Sequence, residues 1–248
     1  MNIKVIHSGS SGNLVNIDDT IIIDAGWPEM QVGRALFLTH AHSDHTKHLD
    51  KFTGIPMFAL RDTIEKLQKQ IKFAYMQFNE IEPDGFYEIK TDKYVYTVHP
   101  IAVKHDVPCV AFDITRTSYD GDTVRIFYGS DFNSIVNEDL FIHNLKRKVY
   151  DSVYIEANNT ITPTDLVDIY FQQEGEGLPK DEFHRRRSYQ THCNVDYLIS
   201  LFQRAGYSED NKFTEPVMLL HKSSFYYALN PDRVIALCKM VNIINPVN

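Results

Sequence analysis

The chain has 248 residues, with 25 Lys and Arg against 33 Asp and Glu for a formal net charge of −8, and 43% of it is hydrophobic. These proportions suit a soluble globular protein and exclude wholesale disorder. No apolar run approaches the roughly 20 residues of a bilayer-spanning helix, and the N-terminus lacks the apolar core of a signal peptide, so a cytoplasmic protein with no membrane partner is expected.

Short β-like runs open the chain: Lys4 to His7, Leu14 to Ile17 and Thr20 to Asp24, separated by the small-residue loop Ser8 to Asn13 and an Asp18-Asp19 turn. A further apolar run, Ala35 to Thr39, leads straight into a cluster of histidines. Ile64, Leu67, Ile71, Ala74, Tyr75 and Phe78 recur every three and four residues, which predicts an amphipathic helix over 64–78. Phe86 to Ile114 returns to a β pattern, and Asp120-Gly121 turns into a strand over Thr123 to Tyr128. After a mixed segment around Asn137 to Leu145, Ser152 to Ile155 reads as a buried strand. Asn194 to Gly206 has a capping Asn at its start and Gly at its end, and Asn230-Pro231 opens a last helix. Glu174 to Arg187 is expected to form an exposed insertion in a single domain spanning 1–248. Two β-rich stretches, each followed by helices, suit a β-sandwich with helices on its outer faces.

Cys109, Cys193 and Cys238 are widely spaced and form no CxxC pair, which fits buried thiols in a reducing compartment. The acidic balance weakens any broad affinity for nucleic acid, because that affinity rests on Lys and Arg neutralising phosphates. It leaves room for a local basic patch or for bound cations.

His40-Ala41-His42-Ser43-Asp44-His45 is the strongest chemical signal in the chain. Imidazole nitrogens and a carboxylate suit zinc and its neighbours, and this spacing lets one loop offer four of them. The bland alternative is a solvated histidine-rich turn. One loop cannot close two metal sites, so a metal reading requires distant ligands.

HxHxDH after an apolar strand, preceded by Ile21-Ile22-Ile23-Asp24-Ala25-Gly26, resembles the metallo-β-lactamase fold superfamily. The opening Ser8-Gly9-Ser10-Ser11-Gly12-Asn13 is similar to its YycJ (WalJ) branch, close to tRNase Z. Further motifs of that branch follow in order: Lys104-His105-Asp106, Gly129-Ser130-Asp131, Ile155-Glu156-Ala157-Asn158, Thr191-His192-Cys193-Asn194 and Leu220-His221-Lys222-Ser223. The resemblance runs from about Ile3 to about Pro231 and implies an α/β fold, a four-layer αββα sandwich.

Residue by residue, it implies one metal held by His40, His42 and His105, and a second held by Asp44, His45 and His221, with Asp131 bridging them. Two divalent ions are implied, zinc first, with manganese or iron equally able to accept this ligand set. The pair would polarise a phosphoryl group and generate hydroxide near neutral pH, with Asp44 orienting the nucleophile. His192 matches the histidine that tRNase Z places beside the leaving group, which makes it the candidate general acid; packing against the following helix is its bland reading. Glu156 is either a carboxylate that orients a ligand histidine or a merely structural residue.

The sequence departs from the family at His48, where a glycine is usual, at Ser130-Asp131-Phe132-Asn133, and at Asn158-Asn159, where relatives often carry a histidine. His48 would contact substrate or face water. His7 has no required place at the metals, and His99, His143 and His184 match no motif. Lys146-Arg147-Lys148 reads as a solvated face. Arg185, Arg186 and Arg187 end five residues before His192 and are candidate phosphate-binding groups, if that segment folds toward the metals. Phe225-Tyr226-Tyr227 is placed to stack a base or to pack in the core.

The resemblance implies phosphodiester hydrolysis, with nuclease activity on DNA or RNA. A cyclic-nucleotide phosphodiesterase, of the kind some phages turn against host defence signalling, is the alternative toward which the acidic charge leans. A thioester, lactone or β-lactam hydrolase and a catalytically silent metal-binding scaffold remain as further readings, since fold does not fix function. Nucleic acid or a nucleotide is thus the expected partner, and a homodimer is compatible with tRNase Z relatives whose sites a neighbour completes.

Overall fold

In the computed structural model, which describes residues 1–160, 189–222 and 230–244, short runs of branched and aromatic residues pair into two sheets. Among the described residues the first sheet has the order β1 (Ile3–His7), β2 (Leu14–Ile17), β3 (Ile21–Ile23), β4 (Ala35–Phe37), β5 (Met57–Leu60) and β6 (Phe78–Ile81). The second comprises β7 (Tyr87–Lys90), β8 (Tyr94–Lys104), β9 (Cys109–Ser118), β10 (Thr123–Gly129), β11 (Ser134–Ile135), β12 (Ser152–Glu156), β13 (Phe213–Leu220) and β14 (Val241–Ile244). Its spatial order is β11-β8-β9-β10-β12-β13-β14, with β7 also paired to β8.

Side-chain alternation along the strands builds the layers, because successive residues point to opposite faces of a sheet. Ile21, Ile23 and Phe37 share one core with Phe112, Tyr128, Tyr154 and Leu220, so this set lies between the sheets. Their neighbours Ile22 and Leu36 pack with Phe52, Leu67 and Phe73 on the outer face of the first sheet. Phe127, Val153, Ile155 and Leu219 pack outward against α3 (Glu138–Lys146), α4 (Val195–Arg204) and α5 (Pro231–Met240). The outcome is the expected αββα sandwich.

Most of the predicted strands and both terminal helices form where the sequence places them. Asn194 caps α4, accepting from the Asp196 N–H at 2.7 Å, and Gly206 closes it with φ +94°. The helix predicted over 64–78 is overturned. α2 covers Arg61–Gln68 only, a single 3-10 turn follows at Ile71–Phe73, and Phe78 already begins β6. Ile71 and Tyr75, core positions by their spacing, are 92% and 96% exposed. Parallel pairing of Phe78–Ile81 with Met57–Leu60 claims the end of the segment, and that tertiary demand overrides local periodicity. The mixed segment near Asn137 is α3, and Lys146, Arg147 and Lys148 are exposed at its end, as a solvated face should be. His143 is exposed and His99 stacks on Phe86 at 4.5 Å. The predicted insertion at 174–187 lies outside the described residues. Among the described residues no helix is long and apolar enough to cross a membrane.

Candidate metal centre

The site forms where strands end. β3 and β4 are parallel, as are β10, β12 and β13, so their C-terminal ends share one rim and deliver Asp24, His40, Asp131, Glu156 and His221 to it. Open sheets present ligand sites at this edge. Asp24, Asp131 and His221 leave their strands with φ of 60°, 58° and 49°, a left-handed conformation that costs energy outside glycine and persists where surrounding structure enforces it.

On one face of the site stand His40, His42 and His105. His40 Nε2 lies 3.0 Å from His42 Nδ1, which lies 3.4 Å from His105 Nε2. Ligands about 2.0–2.1 Å from a tetrahedral ion stand roughly 3.4 Å from one another, so this spacing fits a metal bound by three imidazoles. The other ring nitrogens are already committed. His105 Nδ1 donates to the Thr191 carbonyl at 2.9 Å, and His40 Nδ1 meets Thr39 Oγ1 at 3.0 Å. Thr39 in turn donates to Asp24, which leaves His40 Nε2 as the free lone pair. Asp106 Oδ1 sits 3.3 Å from His42 Nε2 and 3.1 Å from His105 Nε2.

The other face is rich in carboxylates. Asp131 Oδ2 is 3.1 Å from His45 Nε2 and its Oδ1 is 3.4 Å from His221 Nδ1, so one carboxylate spans the two histidines. Glu156 Oε1 is 2.9 Å from His221 Nδ1 and 2.6 Å from His192 Nδ1, while its Oε2 accepts from the Phe132 N–H at 2.6 Å. Donor atoms within 4.8 Å of one another define three groups among the described residues: His40, His42 and His105; His40, His45 and Asp131; and Asp131, Glu156, His192 and His221. Asp44 reaches His45 Nε2 at 3.6 Å and joins none of these groups.

Electrostatics differ between the faces. Burial pushes the imidazolium forms of His40 and His105 below their ordinary values, and the charge at His45 adds to the effect on His40. Burial also works against His45 and His221, but carboxylates outweigh it. Asp24 and Asp131 hold His45 well above its usual value, and Asp131 with Glu156 brings His221 to about 9. His192 is likewise raised by Glu156 against its burial. Burial would raise Asp131 and Glu156, yet the neighbouring histidines keep both below the usual carboxylate range. Buried carboxylates facing buried imidazoles need positive charge between them, as protons or as a metal.

Sequence reasoning gave no role to four residues that shape this site. Asp24 accepts from His45 Nδ1 at 2.7 Å and, through Thr39, orients His40 as well. Its signal was an aspartate ending an apolar strand at a small-residue turn. Asn13, fully buried, brings its amide nitrogen to 2.9 Å from His45 Nε2, and Asp106 bridges two histidines. Ser8 Oγ accepts from the His221 N–H at 3.0 Å, tying the opening loop to the far side of the site. His7 lies beside this loop, stacked on Trp27 at 3.8 Å. Arg185, Arg186 and Arg187, like His184 and Phe225-Tyr226-Tyr227, lie outside the described residues.

A two-sheet sandwich with a His/Asp cluster at its strand ends defines a fold class of metal-dependent hydrolases. The model of the beta-lactamase superfamily domain matches residues 23–177, more than half of the chain. The chain belongs to that superfamily. Among solved structures it is similar to the metallo-beta-lactamase fold protein YhfI from Bacillus subtilis, with 17% identity, 98% of this chain and 96% of that one covered, and a TM-score of 0.61. It is also similar to yeast PDE1 (10%, 99% and 97%, 0.63) and to a diphosphatase of the PhnP family (15%, 98% and 94%, 0.57). No curated protein matches its sequence significantly.

Proposed function

We propose that the chain is a dinuclear metal-dependent phosphodiesterase that acts as a nuclease on DNA or RNA. The observation that carries this reading is the convergence of His40, His42 and His105 on one face and His45, Asp131 and His221 on the other, with His192 beside them on Glu156. His40, His42 and His105 would hold one ion, Asp44, His45 and His221 the second, and Asp131 would join the two. Bound there, zinc, manganese or iron would supply Lewis acidity toward a phosphoryl oxygen and lower the proton affinity of water. Phosphodiesterase and diphosphatase neighbours share the fold, which supports phosphorus chemistry as the reaction class.

The chain's own residues would do the remaining work. Asp24 fixes the orientation of His45 and, through Thr39, of His40, which keeps their outer nitrogens aimed inward. Asp44 stands at the mouth, partly exposed, where it can orient an incoming water. His192 carries its Nδ1 against Glu156, so its other ring nitrogen is the one available to protonate a leaving alkoxide. Glu156 stabilises the imidazolium that this step consumes.

The acidic net charge supports a second reading, a cyclic-nucleotide phosphodiesterase. Purified metal-loaded protein assayed on single-stranded DNA, on RNA and on a panel of cyclic nucleotides separates the two. Polymer cleavage is expected, and turnover of cyclic nucleotides alone replaces the first reading by the second. In the same assays His192→Ala should retain its metal while losing roughly 10²- to 10⁴-fold in rate; loss of the metal would make His192 a ligand instead.

A further inference from the structure

The residues that follow the metal loop form a basic strip in an acidic protein. α1 (Ser43–Thr46) begins inside HxHxDH and is capped at its end by Lys47, three residues beyond Asp44. Lys47 Nζ donates to the Ser11 carbonyl and Lys51 Nζ to the Pro28 carbonyl. Lys72 Nζ donates to the Lys47 carbonyl at 2.6 Å and pairs with Asp50 at 2.8 Å. Carbonyl tethers hold an ammonium group in place without cancelling its charge, and among the described residues the one carboxylate paired with any of the three lysines is Asp50. His48 lies among them, lowered by burial and then by the charges of Lys47, Lys51 and Lys72.

The strip continues into a groove of about 810 Å³ on the outer side of the first sheet. Asp50 and Lys72 belong to both, and the groove is further lined by the apolar Ile55, Met76 and Phe78, by Tyr75, and by the polar Gln77 and Asn79. Its volume lies within the roughly 300–1,000 Å³ of small-molecule sites. Tyr75 is 96% exposed, so packing does not account for it. Fixed positive charge followed by an exposed aromatic ring is how proteins hold single-stranded nucleic acid, charge tracking the phosphates and rings stacking the bases.

We propose that Lys47, His48, Lys51 and Lys72 lead a single-stranded nucleic acid from the metal centre to the Tyr75 groove, where a base stacks. The proposal rests on the nuclease reading and extends it by naming a track for the strand beyond the scissile bond. A single strand is favoured over a duplex because stacking on Tyr75 requires an unpaired base.

The test is fluorescence anisotropy of a labelled 12-nucleotide strand on the metal-loaded protein, together with its cleavage relative to a dinucleotide. Tyr75→Ala should weaken binding of the 12-mer about tenfold; at this exposure the change leaves folding intact. In K47A/K51A/K72A, the slope of log affinity against log salt should become shallower by about 2, because each phosphate that a lysine no longer neutralises removes roughly 0.7 from it. Preference for the 12-mer over the dinucleotide should shrink in both variants. Binding that neither variant alters, or an acidic peptide of equal charge binding as tightly, overturns the track. A protein that cleaves the dinucleotide but gains nothing from added length loses the track and keeps the phosphodiesterase reading. One that binds the 12-mer through these residues and cleaves neither substrate keeps the track and loses the reading.

Discussion

The two faces of the candidate metal centre solve the problem of buried charge in opposite ways. On the face of His40, His42 and His105, burial keeps His40 and His105 neutral, so a cation would find lone pairs already free. On the face of His45, Asp131, Glu156, His192 and His221, imidazolium and carboxylate neutralise each other, and a cation must first displace protons. Occupancy of the second face should therefore rise more steeply with pH than that of the first. For His192 and His221 the difference traces to position, since Asp131 and Glu156 both come from the second sheet; His45 is held up first by Asp24 of the first sheet and then by Asp131.

The substitution with the largest expected effect attacks the one carboxylate that spans both histidines of the second face. Asp131→Ala leaves His45 and His221 without their shared partner, so metal content should fall from two ions to at most one and hydrolysis by on the order of a thousandfold. Elemental analysis alongside steady-state rates checks this. A variant that still holds two ions would remove Asp131 from its joining position.

A smaller effect sharpens the electrostatic contrast without any substitution. In metal-free protein the His221 imidazole titrates at about 9, against an ordinary value near 6.5 in the unfolded chain. A raised value means that this contribution to stability is complete below about pH 6.5 and is lost as pH climbs through 9; His45 acts in the same direction. Asp131 and Glu156, being lowered, contribute above the ordinary carboxylate range and lose their contribution as the solution becomes acidic. Urea denaturation of chelator-treated protein should show stability falling by up to about 3 kcal/mol between pH 6.5 and 9.5. Unchanged stability over that window would mean that His221 is neutral in the metal-free fold.

The faces also differ in how readily the sequence reveals them. His40, His42 and His45 lie within eight residues of the end of β4, and their spacing alone announces a ligand set. His105, Asp131, Glu156, His192 and His221 are brought together by pairing of strands far apart in the chain, which no local pattern records; only the order of short family motifs points to them. The fold is legible for the same kind of reason. Strands such as Leu14–Ile17 and Ser152–Glu156 are buried on both faces and read as apolar runs, whereas β6, an edge strand with Asn79 and Glu80 exposed, carries no such signature and its first residue fits a helical spacing instead. Asp24 and Asn13 have no legible role because a buried carboxylate or amide reveals its partner only once the partner is in place.

The smallest predicted effect falls on the second face alone. Asn194 Oδ1 caps α4 through the Asp196 N–H, and its Nδ2 donates to Asn159 Oδ1 at 2.7 Å, which joins the helix start to the exit of β12. The Val195 N–H donates to the Asn159 carbonyl at 2.9 Å, and the Asn158 N–H to that of Cys193. His192 precedes this clasp directly, so the clasp sets where its ring meets Glu156. Asn194→Ala should cost about 1 kcal/mol, a drop of roughly 2–4 °C in Tm. Asn194→Asp keeps the cap acceptor and removes the donor to Asn159, so it should recover most of the stability while the rate stays lowered. Equal recovery of rate and stability in the Asp variant would show that the helix cap alone positions His192, and that the tie to Asn159 adds nothing to the second face.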